Sequence, residues 1–154
     1  MRFTTDDGLF GFVVTPLTQS GMYRFQVVIG GELVGDSEPC FLESAMNTLG
    51  RLRELDDSRL GQASMDAVAL MDLLASDGAL DDAALLQIAE SLDSWKVRAY
   101  SRGETATFLA ARYVAGTDSA QGAVSLSVVP LTEYATVFEV ARGYWAKTRQ
   151  GNKL

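Results

Sequence analysis

The N-terminal third of the chain shows the two-residue period of β-strands. Between residues 22 and 29, apolar side chains alternate with polar ones, which predicts a half-buried strand. Gly30-Gly31 follows and predicts a tight hairpin turn, because glycine reaches positive φ at little cost. We therefore expect residues 32–34 to return as an antiparallel partner, and the apolar run at residues 9–14 to form an earlier strand.

The middle of the chain changes to the period of an α-helix. Ser37-Glu38-Pro39 resembles a helix start, with a capping hydroxyl and a proline in the first turn, and apolar residues spaced three and four apart follow it. Ser64 is the expected cap of a second helix, which Asp77-Gly78 ends. A third, short helix is expected to open at Leu80 or Asp81 and to continue to about residue 92.

The C-terminal third returns to strands before a final helix. Residues 95–114 alternate around the turn sequence Ser101-Arg102-Gly103-Glu104, which predicts a second hairpin. A further strand is expected at residues 124–129, ended by Pro130, and Thr132 is the expected cap of the last helix. This order predicts an α+β fold, with an antiparallel sheet from two or three hairpins and helices packed on one side.

The composition excludes several kinds of catalytic and metal site without indicating a particular activity. The chain has 154 residues, 47% of them hydrophobic, which fits one globular domain over residues 1–154. It has no histidine, which removes Ser-His and Cys-His pairs and every histidine metal ligand. The single cysteine, Cys40, forbids an intramolecular disulfide and a CxxC motif. We expect no catalytic residue, no metal and no cofactor, and we expect Cys40 to be a buried, inert thiol at the start of the first helix.

The charge is acidic and concentrated in the middle of the chain. The formal net charge is −7, while residues 54–93, called the acidic segment below, hold ten acids and one base. This balance argues against nucleic acid and anionic membranes as partners, because both need positive charge on the protein. The acidic segment is either a solvated helical face or a docking surface for a basic protein.

Six residues are candidates for contact with such a partner. Paired aspartates at helix ends are exposed and clustered, although Asp81-Asp82 is better explained by the favourable position of negative charge at a helix start. Two tyrosines are candidate aromatic anchors, with burial in the core as the alternative. The candidate residues are Asp56, Asp57, Asp81, Asp82, Tyr100 and Tyr134.

Three segments resemble a known family of bacterial proteins. Residues 25–36, 95–112 and 126–134 are similar in order and pattern to immunity proteins of polymorphic-toxin systems, most closely to the Immunity protein 42 family. The resemblance implies a small cytoplasmic protein, not an enzyme, that binds and blocks a cognate toxin. The absence of an apolar export or membrane-spanning run fits that location.

Two other classes of function remain compatible with the residues. The first is an adaptor or secretion chaperone with the same acidic protein-binding face. The second is a hydrolase that works with carboxylates alone, since 20 acidic residues are present.

Overall fold

The computed structural model describes residues 1–18, 21–61, 66–112 and 123–151, and these form two antiparallel sheets with four α-helices. The strands of the first sheet are β1 Arg2–Thr4, β2 Phe10–Pro16, β3 Tyr23–Ile29, β4 Glu32–Val34 and β5 Pro39–Cys40. The strands of the second sheet are β6 Trp95–Arg102, β7 Thr105–Arg112 and β8 Ser125–Pro130. The α-helices are α1 Glu43–Leu49, α2 Ala67–Ser76, α3 Gly78–Ala84 and α4 Leu131–Gly151, and short 3-10 helices span Ser58–Gly61 and Glu90–Leu92. The predicted α+β class is confirmed.

The first sheet has the order β1-β2-β3-β4, with β5 also pairing with β3. Ile29 pairs with Glu32 across the turn, where Gly30 and Gly31 have φ of +61° and +80°, so the predicted hairpin is confirmed. The strand β1 was not predicted from the pattern, because only three residues pair with β2. Three residues are too few to show a clear period.

The segment around Cys40 is a strand and not the predicted helix start. Cys40 pairs with Tyr23 and Pro39 with Arg24, so β5 adds to the open edge of β3. Helix α1 begins only at Glu43, and no side chain caps its first turn. The prediction from Ser37-Glu38-Pro39 is wrong because backbone pairing and burial of the Cys40 side chain outweigh a local capping signal.

The second sheet matches its prediction closely. Strands β6 and β7 pair over their full length, from Trp95–Arg112 to Arg102–Thr105, and β8 pairs with β7 and ends at Pro130. Helix α4 begins at Leu131, one residue before the predicted cap at Thr132. The backbone N–H of Leu131 donates a hydrogen bond to Glu104 O, in the turn between β6 and β7, at 2.8 Å.

The main hydrophobic core lies between the two sheets and α4. Phe10 of the first sheet packs on Phe108 of the second, with ring centroids 4.6 Å apart. Helix α4 adds Tyr134 and Phe138, whose rings are stacked at 6.0 Å. Aromatic contacts of this kind bury large areas and prefer tilted or offset geometry, so they hold the two sheets and α4 together.

A second hydrophobic cluster covers the other face of the second sheet. Leu74 and Leu80 from α2 and α3 pack with Tyr100 and Leu109 of β6 and β7. Because side chains alternate across a strand, α4 and the α2–α3 pair lie on opposite faces of this sheet. Both faces of β6 and β7 are therefore buried, which explains the nearly continuous burial along β7.

The boundaries of α2 and α3 differ from the prediction. Asp66 caps α2, while the predicted cap, Ser64, lies outside the described residues. Helix α2 ends at Ser76, as Asp77-Gly78 predicts, and α3 then begins at Gly78 rather than at Leu80 or Asp81. Helix α3 ends at Ala84, because the backbone of the next residue, Leu85, forms a β-bridge with Arg98.

Candidate functional site

Folding uses four of the ten acids in the acidic segment for structural contacts. Asp66 Oδ1 accepts a hydrogen bond from Ala69 N at 2.7 Å, and Asp77 Oδ1 accepts from Ala79 N and Leu80 N at 3.1 and 3.2 Å. Both are N-caps, which satisfy backbone donors that a helix start leaves free. The other two, Asp57 and Asp81, form ion pairs with arginines.

Arg59 joins two of these carboxylates. Its Nη2 donates to Asp57 Oδ2 and to Asp77 Oδ2, both at 2.8 Å, and its Nε donates to Asp57 Oδ1 at 3.0 Å. The hydrogen bonds from Arg59 hold the pKa of Asp57 at about 2 and also lower the pKa of Asp77. The network fastens the 3-10 turn at Ser58–Gly61 to the junction of α2 and α3.

Asp81 has a different partner, on the sheet below. Arg98 of β6 is only 1% exposed, and its guanidinium donates from Nε to Asp81 Oδ1 at 2.7 Å. A buried guanidinium needs an anion, because burying an unpaired charge is costly. Asp81 is therefore committed to the contact between α3 and β6.

The other six acids of the acidic segment have exposed side chains. They are Glu54, Asp56, Asp72, Asp82, Glu90 and Asp93. Of the four aspartates singled out from the sequence, Asp56 and Asp82 thus remain on the surface. Asp57 and Asp81 differ from these two because folding brings an arginine within hydrogen-bond distance of each. Arg59 lies two residues from Asp57, so the sequence alone suggests that pair, whereas Arg98 is distant from Asp81 in the sequence.

The two candidate tyrosines lie in the cores of the molecule. Tyr100 is 2% exposed under α2 and α3, and Tyr134 is 6% exposed in the main core. The Tyr134 hydroxyl donates to Leu49 O, the last carbonyl of α1, at 2.6 Å. Burial raises the pKa of both phenols. In this conformation neither ring is on the surface where a partner would meet it.

Cys40 is buried, as expected, although in a strand. Its Sγ–H donates to Tyr23 O at 3.4 Å, and its side chain is fully enclosed. Burial, and secondly the negative charge of Glu90, raise the pKa of the thiol to about 11. A thiol that is enclosed and protonated at neutral pH is a poor nucleophile.

A cleft of about 440 Å³ lies between the end of α1 and the end of α3. Its polar lining is Asn47, Thr48, Arg51, Arg53 and Asp82. Two exposed arginines and one carboxylate suit ion pairing with a protein partner. They do not form a nucleophile held by a base, which is the arrangement covalent catalysis requires.

Neither a metal-binding cluster of side chains nor a membrane-spanning helix is present within residues 1–18, 21–61, 66–112 and 123–151. No group of three or more Cys, Asp or Glu side chains there is arranged to hold a metal ion. None of the helices found in those ranges is long and apolar enough to cross a membrane.

The two-sheet α+β architecture is similar to that of one solved structure over nearly the full length of both chains. That structure is CdiI from Burkholderia dolosa AUO158, with a TM-score of 0.64 over 94% of this chain and 99% of that chain, at 14% sequence identity. At this identity the likeness establishes the fold. No family model and no curated protein matches the chain, so membership of the Immunity protein 42 family stays a prediction.

Proposed function

We propose that this chain is an immunity protein that binds a cognate bacterial toxin and neutralises it without catalysis. The observation that carries the proposal is the fold shared with CdiI, a contact-dependent growth inhibition immunity protein, across 94% of this chain. The segments that resemble the Immunity protein 42 family give independent support from the sequence. The cytoplasm is the proposed place of action.

The acidic segment supplies the proposed charge complementarity. Its six exposed carboxylates include Asp56 and Asp82, and charges around an interface steer association more than they hold the complex. A toxin that acts on nucleic acid needs a basic cleft for phosphate. An acidic inhibitor is suited to approach such a cleft, and we propose a basic toxin domain as the partner.

The test is co-expression with a toxin. The C-terminal domain of a large secreted protein encoded beside this gene is induced in a sensitive host, with or without this chain. We expect growth to be rescued, and we expect the purified proteins to form a 1:1 complex in which the toxin's activity is blocked in proportion to the complex formed.

The control is a variant that disrupts packing in the main core and leaves the surface residues unchanged, such as Phe108→Ala, which should lose rescue because it is destabilised. A folded wild-type chain that rescues no neighbouring toxin would contradict the proposal. Neutralisation far below a 1:1 ratio would instead indicate catalysis and favour a carboxylate hydrolase, whereas binding of an exported protein without neutralisation would favour the chaperone alternative.

A further inference from the structure

The cleft beside α1 lies at the edge of the second sheet, in a gap between two segments that pair with β6. On one side of the gap, Leu86 N donates to Val97 O at 2.9 Å. On the other side, Ser101 N donates to Arg53 O at 2.8 Å. Ala99 lies between these two points on β6 and lines the cleft. Backbone hydrogen bonds therefore tie the strand below the cleft to the segments on either side of it.

Two arginines belong to the segment on the α1 side of the gap. Arg51 N donates to Thr48 O, near the end of α1, at 3.1 Å, and Arg53 O accepts the hydrogen bond from Ser101 described above. The backbone is thus held at both arginines, while both residues are exposed. When a partner binds, only side-chain rotamers remain to be ordered, which keeps the entropy cost of binding low.

The cleft borders both faces of the second sheet, because it lies at the edge of that sheet. Arg53 has the same place in the strand alternation as Leu55, which packs with α2 and α3. The Arg53 side chain is therefore on the α3 side, where Asp82 also lines the cleft. Arg51 lines the cleft from the turn that follows α1. One carboxylate thus accompanies two guanidinium groups in this lining.

Neither Arg51 nor Arg53 has an ion-pair partner among the residues that the structure describes. The arginines that form ion pairs in that part of the chain are Arg59, Arg98, Arg112, Arg142 and Arg149. An arginine side chain has five N–H donors and no acceptor, and Asn47 and Thr48 add an amide and a hydroxyl to the lining. A cleft so rich in donors suits a carboxylate, which when ionised only accepts hydrogen bonds.

We propose that this cleft receives an aspartate or glutamate side chain of the toxin, whose carboxylate pairs with Arg51 and Arg53. The proposal rests on the immunity function proposed above and names the contact that holds the complex. Asp82 then pairs with a lysine or arginine that flanks this carboxylate on the basic toxin. Arginine is among the residues that most often carry the binding energy of an interface, so the acidic segment steers the approach and the two arginines hold the toxin.

The sign of the expected effect separates this contact from general electrostatic attraction. Removing a positive charge makes the chain more acidic, so its long-range attraction to a basic toxin should grow. Removing a guanidinium from the cleft instead leaves a toxin carboxylate without its partner inside the interface, which weakens the complex. A complex that becomes weaker when positive charge is lost is therefore the signature of the local contact.

The test measures the affinity of purified variants for the toxin domain used in the rescue experiment. For the double variant Arg51→Gln, Arg53→Gln we expect the dissociation constant to rise roughly tenfold or more, mainly through faster dissociation. For Arg51→Lys, Arg53→Lys we expect a smaller rise, about threefold, because lysine keeps the charge and lacks the planar fork that binds a carboxylate. All variants should keep the wild-type thermal midpoint within a few degrees.

A matched control lies on the first sheet. Arg24 is an exposed arginine of β3, and its neighbours Tyr23 and Phe25 belong to the main core, so strand alternation places Arg24 on the opposite face of that sheet. Arg24→Gln removes the same charge as a single substitution in the cleft. We expect it to change the dissociation constant less than about twofold.

An exchange of charges tests the carboxylate itself. Each exposed aspartate and glutamate of the toxin domain is replaced by lysine, and each toxin variant is measured against the double variant Arg51→Glu, Arg53→Glu. We expect one of these toxin variants to bind the reversed cleft several-fold more tightly than the wild-type toxin does. If the glutamine variant loses affinity and no exchange restores binding to the reversed cleft, the arginines hold a group other than a carboxylate and the proposal is wrong.

The outcomes separate the two proposals. If wild type rescues growth and the glutamine double variant binds as tightly as wild type, the cleft does not hold the toxin and the immunity function stands. If Arg24→Gln weakens binding as much as the substitutions in the cleft, the effect is not specific to the cleft and the proposal fails. If wild type neither binds nor rescues, both proposals fail.

Discussion

Asp81 of α3 is the counter-ion of Arg98, a guanidinium on β6 that is only 1% exposed. The guanidinium also donates from Nη1 to Val97 O at 3.3 Å, so two acceptors, the Asp81 carboxylate and this carbonyl, face it. The Asp81 carboxylate thus connects α3 to β6, where α2 and α3 pack on the second sheet. One of the aspartates that the sequence marks as a contact residue thus forms a structural ion pair within the chain.

Replacing Asp81 should therefore cost stability. Breaking a buried ion pair by removing one partner costs roughly 3–5 kcal/mol, and because the Asp81 side chain is 31% exposed we expect a smaller loss, about 2 kcal/mol, for Asp81→Asn. Urea unfolding followed by circular dichroism measures it. The adjacent, exposed Asp82→Asn is the control, with an expected change within about 0.5 kcal/mol. Equal losses for the two variants would contradict the assigned role of Asp81.

The Asp57–Arg59 pair predicts a dependence of stability on pH. The pKa of Asp57 is about 2 in the folded chain and about 3.9 in an unfolded chain. A carboxyl with a depressed pKa stabilises the fold above the unfolded value, and this stabilisation is lost as pH falls from about 4 to about 2. Titration of the Asp57 carboxyl by NMR should show the low midpoint.

Variants of the arginine test the cause of that shift. Arg59→Gln removes the guanidinium hydrogen bonds to Asp57 but keeps the one from the backbone N–H of residue 59, so the pKa of the carboxyl should rise toward 4 without reaching it. Arg149→Gln, which breaks an ion pair with Glu43 elsewhere, should leave Asp57 at its low value. A low pKa that persists in Arg59→Gln would assign the shift to another group.

Cys40 should be unreactive in the folded protein. Its side chain is enclosed and its pKa is about 11, so little thiolate is present at pH 8 and a reagent cannot reach it. A thiol reagent such as iodoacetamide should modify Cys40 only after unfolding in urea, with one label per chain because the sequence has one cysteine. Complete labelling of the folded protein within minutes would contradict the burial of this strand.

Tyr134 links α4 to the end of α1 through its hydroxyl. Tyr134→Phe leaves the carbonyl of Leu49 without that donor, and an unsatisfied buried acceptor costs about 1–2 kcal/mol. Tyr144→Phe, also in α4, is the control, and we expect it to change the free energy of unfolding by less than about 0.5 kcal/mol. If both variants are equally stable, the 2.6 Å hydrogen bond contributes nothing to the fold.

Local patterns predicted the hairpins because their signals are short-range. The Gly30-Gly31 turn and the alternation on either side determine register without help from distant residues, and the structure has that pairing. The segment at Ser37-Glu38-Pro39 was predicted wrongly because its fate depends on β3, which lies more than ten residues earlier in the chain. A capping signal of about 1 kcal/mol does not outweigh such pairing and burial.

The candidate contact residues show the same limit. Along β6, Arg98 and Tyr100 lie on one face of the strand, and Val97 and Ala99 lie on the other. A charged residue such as Arg98 makes its face look like a solvated surface in the sequence. The structure buries that face under α2 and α3, so Tyr100 is in a core and Arg98 takes Asp81 as its partner. The alternation within β6 does not show that this face is buried, because burial depends on α2 and α3, which are separate segments of the chain.

The proposed immunity function predicts that the acidic segment influences the rate at which a toxin associates more than the rate at which it dissociates. Reversing Asp56 and Asp82, the two candidate aspartates with exposed side chains, is expected to lower the association rate several-fold at low ionic strength, because steering depends on long-range attraction. The dissociation rate should change little, since charges at the rim of an interface contribute little to holding the complex. Surface plasmon resonance with the toxin domain measures both rates.

Salt and a charge-matched control make that prediction specific. At 1 M salt the screening length is about 3 Å, so the association rates of wild type and the double variant Asp56→Lys, Asp82→Lys should converge. Glu38→Lys, an exposed acid outside the acidic segment, changes the net charge by the same amount as either single reversal, and its effect on association should be smaller than theirs.

If Glu38→Lys slows association as much as Asp56→Lys or Asp82→Lys, the effect comes from net charge alone and the acidic segment has no special place in steering. If none of these variants changes the association rate, the acidic segment does not steer the toxin. The exposed arginines Arg51 and Arg53, which line the same cleft as Asp82, then become the residues to reverse next.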